Sequence, residues 1–126
     1  MSSGDLGKVY EDGELIIRQG EAGNCMYVVQ EGKVEVYVER EGKEVQLGTR
    51  GEGEIIGEMA IFERQERFAN VRACGRARVL TVDKKNFLGR VHEDPSIAFR
   101  VIKTMSSRIR ELSNEIARLK GQKQAE

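Results

Sequence analysis

The residues best suited to chemistry lie in one stretch, GEMAIFERQERFANVRA, from Gly57 to Ala73. It holds a glycine-glutamate step, a short mixed-charge run, and then Arg67, followed by Phe68 and Ala69. An enzyme normally gathers more reactive groups than this, whereas a binding site for a small phosphate ester needs little else. The rest of the chain adds no catalytic set. The single histidine, His92, has no paired nucleophile or metal-ligand partner, which points to a surface or capping role. Cys25 and Cys74 stand far apart in apolar segments without a CxxC spacing and are expected to be buried, reduced thiols. No catalytic residue, metal site or cofactor is therefore expected, and the chain is read as a non-enzyme.

The elements that must position this stretch change character near residue 83. Of the 14 glycines, 12 fall in the first 75 residues, among short segments such as ELIIRQ, CMYVVQ, KVEVYVE, EVQLGT, EIIGE, ANVRAC and ARVLTVD. These are β-branched, partly alternating and bounded by turn pairs such as Glu31-Gly32 and Glu41-Gly42, so they read as about seven or eight strands of a sandwich or barrel. Asp83 is a plausible N-cap for a helix over KKNFLGRVHE, with Phe87, Leu88 and Val91 on one side. Asp94 followed by Pro95, the only proline, opens a second helix, because proline at the first helical position loses no needed N–H.

That second helix carries the strongest periodicity in the chain. Ile102, Met105, Ile109, Leu112, Ile116 and Leu119 recur at alternating steps of three and four, the a/d seam of a heptad coiled coil. Isoleucine at a with leucine at d favours a parallel pair, and Glu115 at g would meet Lys120 at e of the other helix. Packing on the chain's own β-domain accounts for residues 97 to 105, and a homodimer through residues 102–119 is expected beyond them.

The order of these pieces resembles the cyclic-nucleotide-binding domain shared by bacterial catabolite activators and the regulatory subunits of cyclic-AMP-dependent protein kinase. The resemblance is carried by GEAGNCMYVVQEGKVEVY, GEMAIFERQERFANVRA and NFLGRVHEDPSIAFRVI, and spans nearly the whole chain. It implies a mainly β fold, a β-roll over about residues 8–83, followed by a short helix and a long C-terminal helix over about 84–120, all in a single domain, 1–126. It also implies that Gly57 to Val71 is a phosphate-binding cassette.

These residues suit that role. Arg67 offers planar, permanently charged donors to a phosphodiester. The run containing Met59 and Ala60 can form a helical turn whose N–H groups and dipole favour the same charge. Gly57 lets backbone approach closely, Glu58 can accept from a ribose 2′-hydroxyl, and Ala69 is small enough to lie beside a held phosphate. A Glu58–Arg67 surface bridge, worth ~0 to 1 kcal/mol, and a simple bulge at Gly57 remain open. One position departs from the pattern. Similar cassettes place serine, threonine or alanine after the arginine, where this chain has Phe68. The missing threonine favours cyclic AMP over cyclic GMP. In dimeric bacterial relatives the long helix meets the base, and the matching positions here are Leu112 and Ser113.

The resemblance and composition together set the expected partners. These are a cyclic nucleotide, a second copy of the chain and an unknown downstream protein, with a ligand-free interaction scaffold as the alternative. No helix-turn-helix follows the long helix, so no DNA reading is expected. No apolar run approaches the ~20 residues a bilayer requires, and the first residues lack a secretory signal, so a cytoplasmic protein without membrane contact is expected. The chain has 126 residues and zero formal net charge, but the charge is unevenly placed. Residues 1 to 66 hold 7 Lys+Arg against 15 Asp+Glu, and residues 67 to 126 hold 14 against 6. Opposed faces within a domain or between subunits explain this better than a nucleic-acid surface.

Overall fold

A computed structural model describes residues 6–63 and 66–125. Arg64 and Gln65 of the cassette segment, and the first five residues that enter the localisation argument, lie outside the described residues. The strands are β1 (Lys8–Tyr10), β2 (Leu15–Ile17), β3 (Cys25–Arg40), β4 (Lys43–Arg50), β5 (Ile55–Ile56) and β6 (Asn70–Asp83). Helix α1 (Met59–Phe62) lies between β5 and β6, and α2 (Lys84–Glu93) and α3 (Ser96–Ala125) follow β6. The strands pair antiparallel in the order β1-β6-β3-β4, with β2 also on β6 and β5 on β3. This is the expected β-roll with C-terminal helices. The residues form two compact units, one ending at Leu88 and the other beginning at Gly89.

The strand reading needs one correction. CMYVVQ and KVEVYVE are not separate strands joined by a turn at Glu31-Gly32; they run on as β3, and ANVRAC and ARVLTVD likewise merge into β6. Glu31-Gly32 is instead a place where the β3–β6 register shifts. The shift changes which residues of β3 face inward: Val29 is buried before it and Val34 after it, whereas on β6 Val71, Ala73, Ala77 and Val79 keep one parity. Alternation alone therefore reads as an interruption. Gly32 has φ +81°, and a Cβ there would lie 2.4 Å from the Arg76 carbonyl oxygen. By contrast Glu41-Gly42 is a true turn, with φ 52° and 77° joining Arg40 to Lys43 across a two-residue hairpin.

Both helix starts follow from their caps. The Asp83 carboxylate accepts from the Asn86 N–H at 2.7 Å. Asp94 accepts from the Ser96 N–H at 3.1 Å and from its hydroxyl at 2.6 Å, and these bonds hold its carboxyl below the usual aspartate range. On α2, Phe87 is buried and meets Phe62 edge-on at 6.0 Å, but Leu88 is exposed and does not share its side, since adjacent helical residues diverge by about 100°. On α3, Ile102, Ile109, Leu112, Ile116 and Leu119 are each more than half exposed. Glu115 is engaged by Arg118 of its own helix.

Gly32→Ala is expected to lower the unfolding free energy by about 2 kcal/mol or more, because it combines left-handed backbone strain with contact against a carbonyl. Denaturant unfolding monitored by circular dichroism measures this; an unchanged midpoint would show that β3 and β6 can separate there at no cost.

Candidate functional site

Arg67 is fixed by its backbone before its side chain is considered. Its N–H donates to the Glu21 carbonyl at 2.8 Å and its carbonyl accepts from the Gly20 N–H at 2.7 Å, while Glu66 bridges Ala22 antiparallel. The segment leading into β6 is thus strapped to the loop leading into β3. From there the guanidinium spans two strand ends. Nη1 donates to the Gly57 carbonyl at 3.0 Å, just after β5, and Nη2 donates to the Cys25 carbonyl at 2.6 Å, at the start of β3. The Tyr27 ring lies 5.8 Å from its central carbon. Burial, then the neighbouring Cys25 side chain, pushes the Tyr27 hydroxyl up to about 12, so the ring is neutral at ordinary pH.

Of the predicted residues, Gly57 lies against this group. Gly57 has φ +71°, and a Cβ there would sit 2.7 Å from Arg67 Nη1, so glycine is required both by conformation and by space. Glu58, only 9% exposed, precedes α1 in helical conformation and makes no side-chain cap to it. Met59 is exposed, Ala60 is half-buried and Ala69 is buried. Phe68 is 65% exposed, so the ring next to Arg67 faces solvent. The expected helical turn is present, but two of its N–H groups are committed: Ala60 to the Gly57 carbonyl at 3.2 Å and Ile61 to the Glu58 carbonyl at 3.0 Å. Leu112 and Ser113 lie on α3, exposed, in the second unit. Both cysteines are free, but they are half-buried rather than buried.

A cavity of about 350 Å³ beside α1 is lined by Asn24, Phe62, Glu63 and Lys84 among others, and of the predicted residues it takes only Ala60. It does not include Arg67 or Glu58, and its mixed, exposed charges select no one ligand. Among the described residues no group of histidine, cysteine and carboxylate side chains is placed to hold a metal ion.

Three contributors were missed by sequence reasoning. The Cys25 carbonyl and the Tyr27 ring act through position rather than through a motif. Asn70 is buried, accepting from the Gln19 N–H at 2.7 Å and so anchoring the start of β6. A polar residue directly before a β-branched strand was its only signal.

The model of the cyclic nucleotide-binding domain family matches residues 7–94. The chain belongs to this family. It is 33% identical over 112 residues to the cAMP-activated global transcriptional regulator of Salmonella typhimurium, covering 87% of this chain and 53% of that protein. It is 39% identical over 70 residues to the cAMP-dependent protein kinase type II regulatory subunit of Drosophila melanogaster, 56% of this chain and 19% of that one. It also matches, at 38% identity over 115 residues, a Rhodopseudomonas palustris protein that carries the name of a potassium channel protein, 89% of this chain and 27% of that one. The chain therefore spans about half or less of the curated relatives it matches. Among solved structures, the catabolite activator protein of Thermus thermophilus superposes with a TM-score of 0.80 at 29% identity, covering 89% of this chain and 53% of the other. An EAL enzyme in its cAMP-bound form matches with a TM-score of 0.64 at 32% identity, 87% of this chain and 30% of the other. Two of these relatives are named as a regulator and a regulatory subunit, while the last match places the same fold within an enzyme's chain.

Proposed function

We propose that this chain is a receptor module for a cyclic nucleotide, cyclic AMP ahead of cyclic GMP, and that it passes occupancy to a downstream protein through α3. The observation that carries this reading is the setting of Arg67, whose guanidinium is anchored by two carbonyl oxygens. Carbonyls are dipoles without net charge. They fix the fork, with Nη2 also 3.8 Å from the Cys25 sulfur, while leaving its positive charge to attract a phosphodiester through the N–H donors that the carbonyls do not take. In this reading Glu58 takes the ribose 2′-hydroxyl, the backbone of Gly57, Met59 and Ala60 skirts the phosphate, and Ala69 leaves room for it. Leu112 and Ser113 meet the base from the long helix. The names of the relatives support the ligand class, since they include cAMP-activated and cAMP-dependent proteins.

The homodimer is part of the same proposal. Five apolar side chains on one seam of α3 are more than half exposed, and covering them is favourable by ~25 cal/mol per Å². The alternating steps of three and four along this seam are those of a coiled coil.

Calorimetric titration with cyclic AMP tests the receptor directly. Arg67→Ala is expected to weaken binding at least about tenfold, since a hydrogen bond to a charged group contributes roughly 1.5 to 3 kcal/mol. Equal affinity in the variant, or a 2′-deoxy ligand that binds as well as the natural one, removes Arg67 or Glu58 from its role. If no cyclic nucleotide binds at millimolar concentration, the scaffold reading replaces the receptor.

Phe68→Ser is expected to bind cyclic AMP more tightly than wild type. The ring is largely solvated, so its loss forfeits little burial, while a hydroxyl beside Arg67 can add on the order of 1.5 kcal/mol against a charged phosphate. Serine must also exceed Phe68→Ala; equal affinities mean that the hydroxyl contributes nothing.

Ile109→Asp should convert the dimer to monomer in sedimentation at tens of micromolar, roughly, because a charge at an a position faces the seam. A wild-type protein that already sediments as a monomer there defeats the coiled coil.

A further inference from the structure

We infer that Gly23 is a positioning residue: its missing side chain creates the slot that presets the Arg67 guanidinium before any ligand arrives. A Cβ built at Gly23 would lie 2.1 Å from Arg67 Nε, 2.4 Å from its central carbon and 2.6 Å from Nη2. Its three nearest neighbours are thus all atoms of the same guanidinium, and none belongs to backbone. Gly57 walls the Nη1 side, where a Cβ would stand 2.7 Å away. The two glycines differ in one informative respect. Gly57 sits at φ +71°, so a side chain there is strained whatever the space, whereas Gly23 is not in the left-handed region. Glycine at position 23 is therefore required by Arg67 and not by the backbone.

The consequence is specific to the side chain. The guanidinium is the far end of a flexible residue, so a methyl group at position 23 pushes it out and leaves the roll in place. Displacement breaks the bonds to the Cys25 and Gly57 carbonyls at 2.6 and 3.0 Å, which fix the fork only in this plane. The charge survives but its orientation is lost, and oriented donors are what a bidentate contact with an anion requires. Gly23→Ala thus acts as an indirect removal of Arg67, and the two substitutions share one effect instead of adding. Gly23 lies in the GEAGNC loop strapped to Arg67 by backbone bonds, so both partners are delivered by the same local structure.

The test is a double-mutant cycle on the full chain, comparing wild type, Gly23→Ala, Arg67→Ala and the double variant. Ligand-free thermal unfolding reads the slot itself. Gly23→Ala should lower the midpoint by about 3 °C or more in the wild-type background and leave it unchanged in the Arg67→Ala background. A Gly23→Ala protein that fails to fold while the double variant folds supports the slot more strongly. Equal destabilisation in both backgrounds, no destabilisation in either, or failure of both to fold overturns it, since Gly23 would then serve something other than Arg67. The cyclic AMP titration rests on the receptor reading above. There Gly23→Ala should lose about tenfold in affinity, and nothing further once Arg67 is alanine. Absence of binding by wild type sinks the receptor alone, because the ligand-free cycle still decides the slot.

Discussion

The close antiparallel contact between β3 and β6 is the constraint on which the first unit depends. The two strands pair from Cys25↔Asp83 to Tyr37↔Asn70, and most of the buried aliphatic core lies on them. They can stay paired along this length only by shifting register around Gly32, where no side chain fits against the Arg76 carbonyl. This pairing fixes where β3 begins and where β6 begins, and those are the two places the site uses. Cys25 at the start of β3 supplies a carbonyl, and the segment entering β6 supplies Arg67.

Two arginines five positions apart show how context assigns the same side chain to different work. Arg72, on β6, is held by Glu35 at 3.0 Å and Glu44 at 3.2 Å and lies over the Tyr37 ring at 4.2 Å. Those carboxylates cancel its charge and raise its pKa further above an already high value, which makes it a cross-strand tie. A partly exposed pair of this kind stabilises modestly. Arg67 has carbonyl anchors instead, so it is oriented as firmly without being neutralised by them. Residue type alone does not separate the two; only the order of the residues around Arg67 does.

The legible parts of the fold were those in which local chemistry and tertiary structure agree. Asp83, Asp94 and Pro95 open helices for reasons contained within a few residues, and Glu41-Gly42 turns the chain because both positions tolerate positive φ. Glu31-Gly32 has the same composition as that turn, but its surroundings are a second strand rather than solvent, and the glycine serves close approach. At the site, Gly57, Glu58 and Arg67 could be picked out by type and order. Gly23 could not, since its importance arises from a guanidinium 44 positions later in the chain, and neither could the carbonyls, which every residue carries. Leu88 was misplaced because apolar type was read without the 100° step from Phe87.

A preset arginine also limits how a ligand can be sensed. Where the receptive geometry exists beforehand, binding costs little ordering, and affinity rises for that reason. A ligand shifts a conformational equilibrium only to the extent that it binds one state better than the other. In the proposed receptor, any signal must therefore come from groups whose surroundings the ligand alters. Met59 and Phe68 fit that description, being apolar, exposed and next to Glu58 and Arg67 respectively. Affinity and signalling would then reside in different residues of one short segment, the buried or anchored ones holding the anion and the solvent-facing ones responding to it.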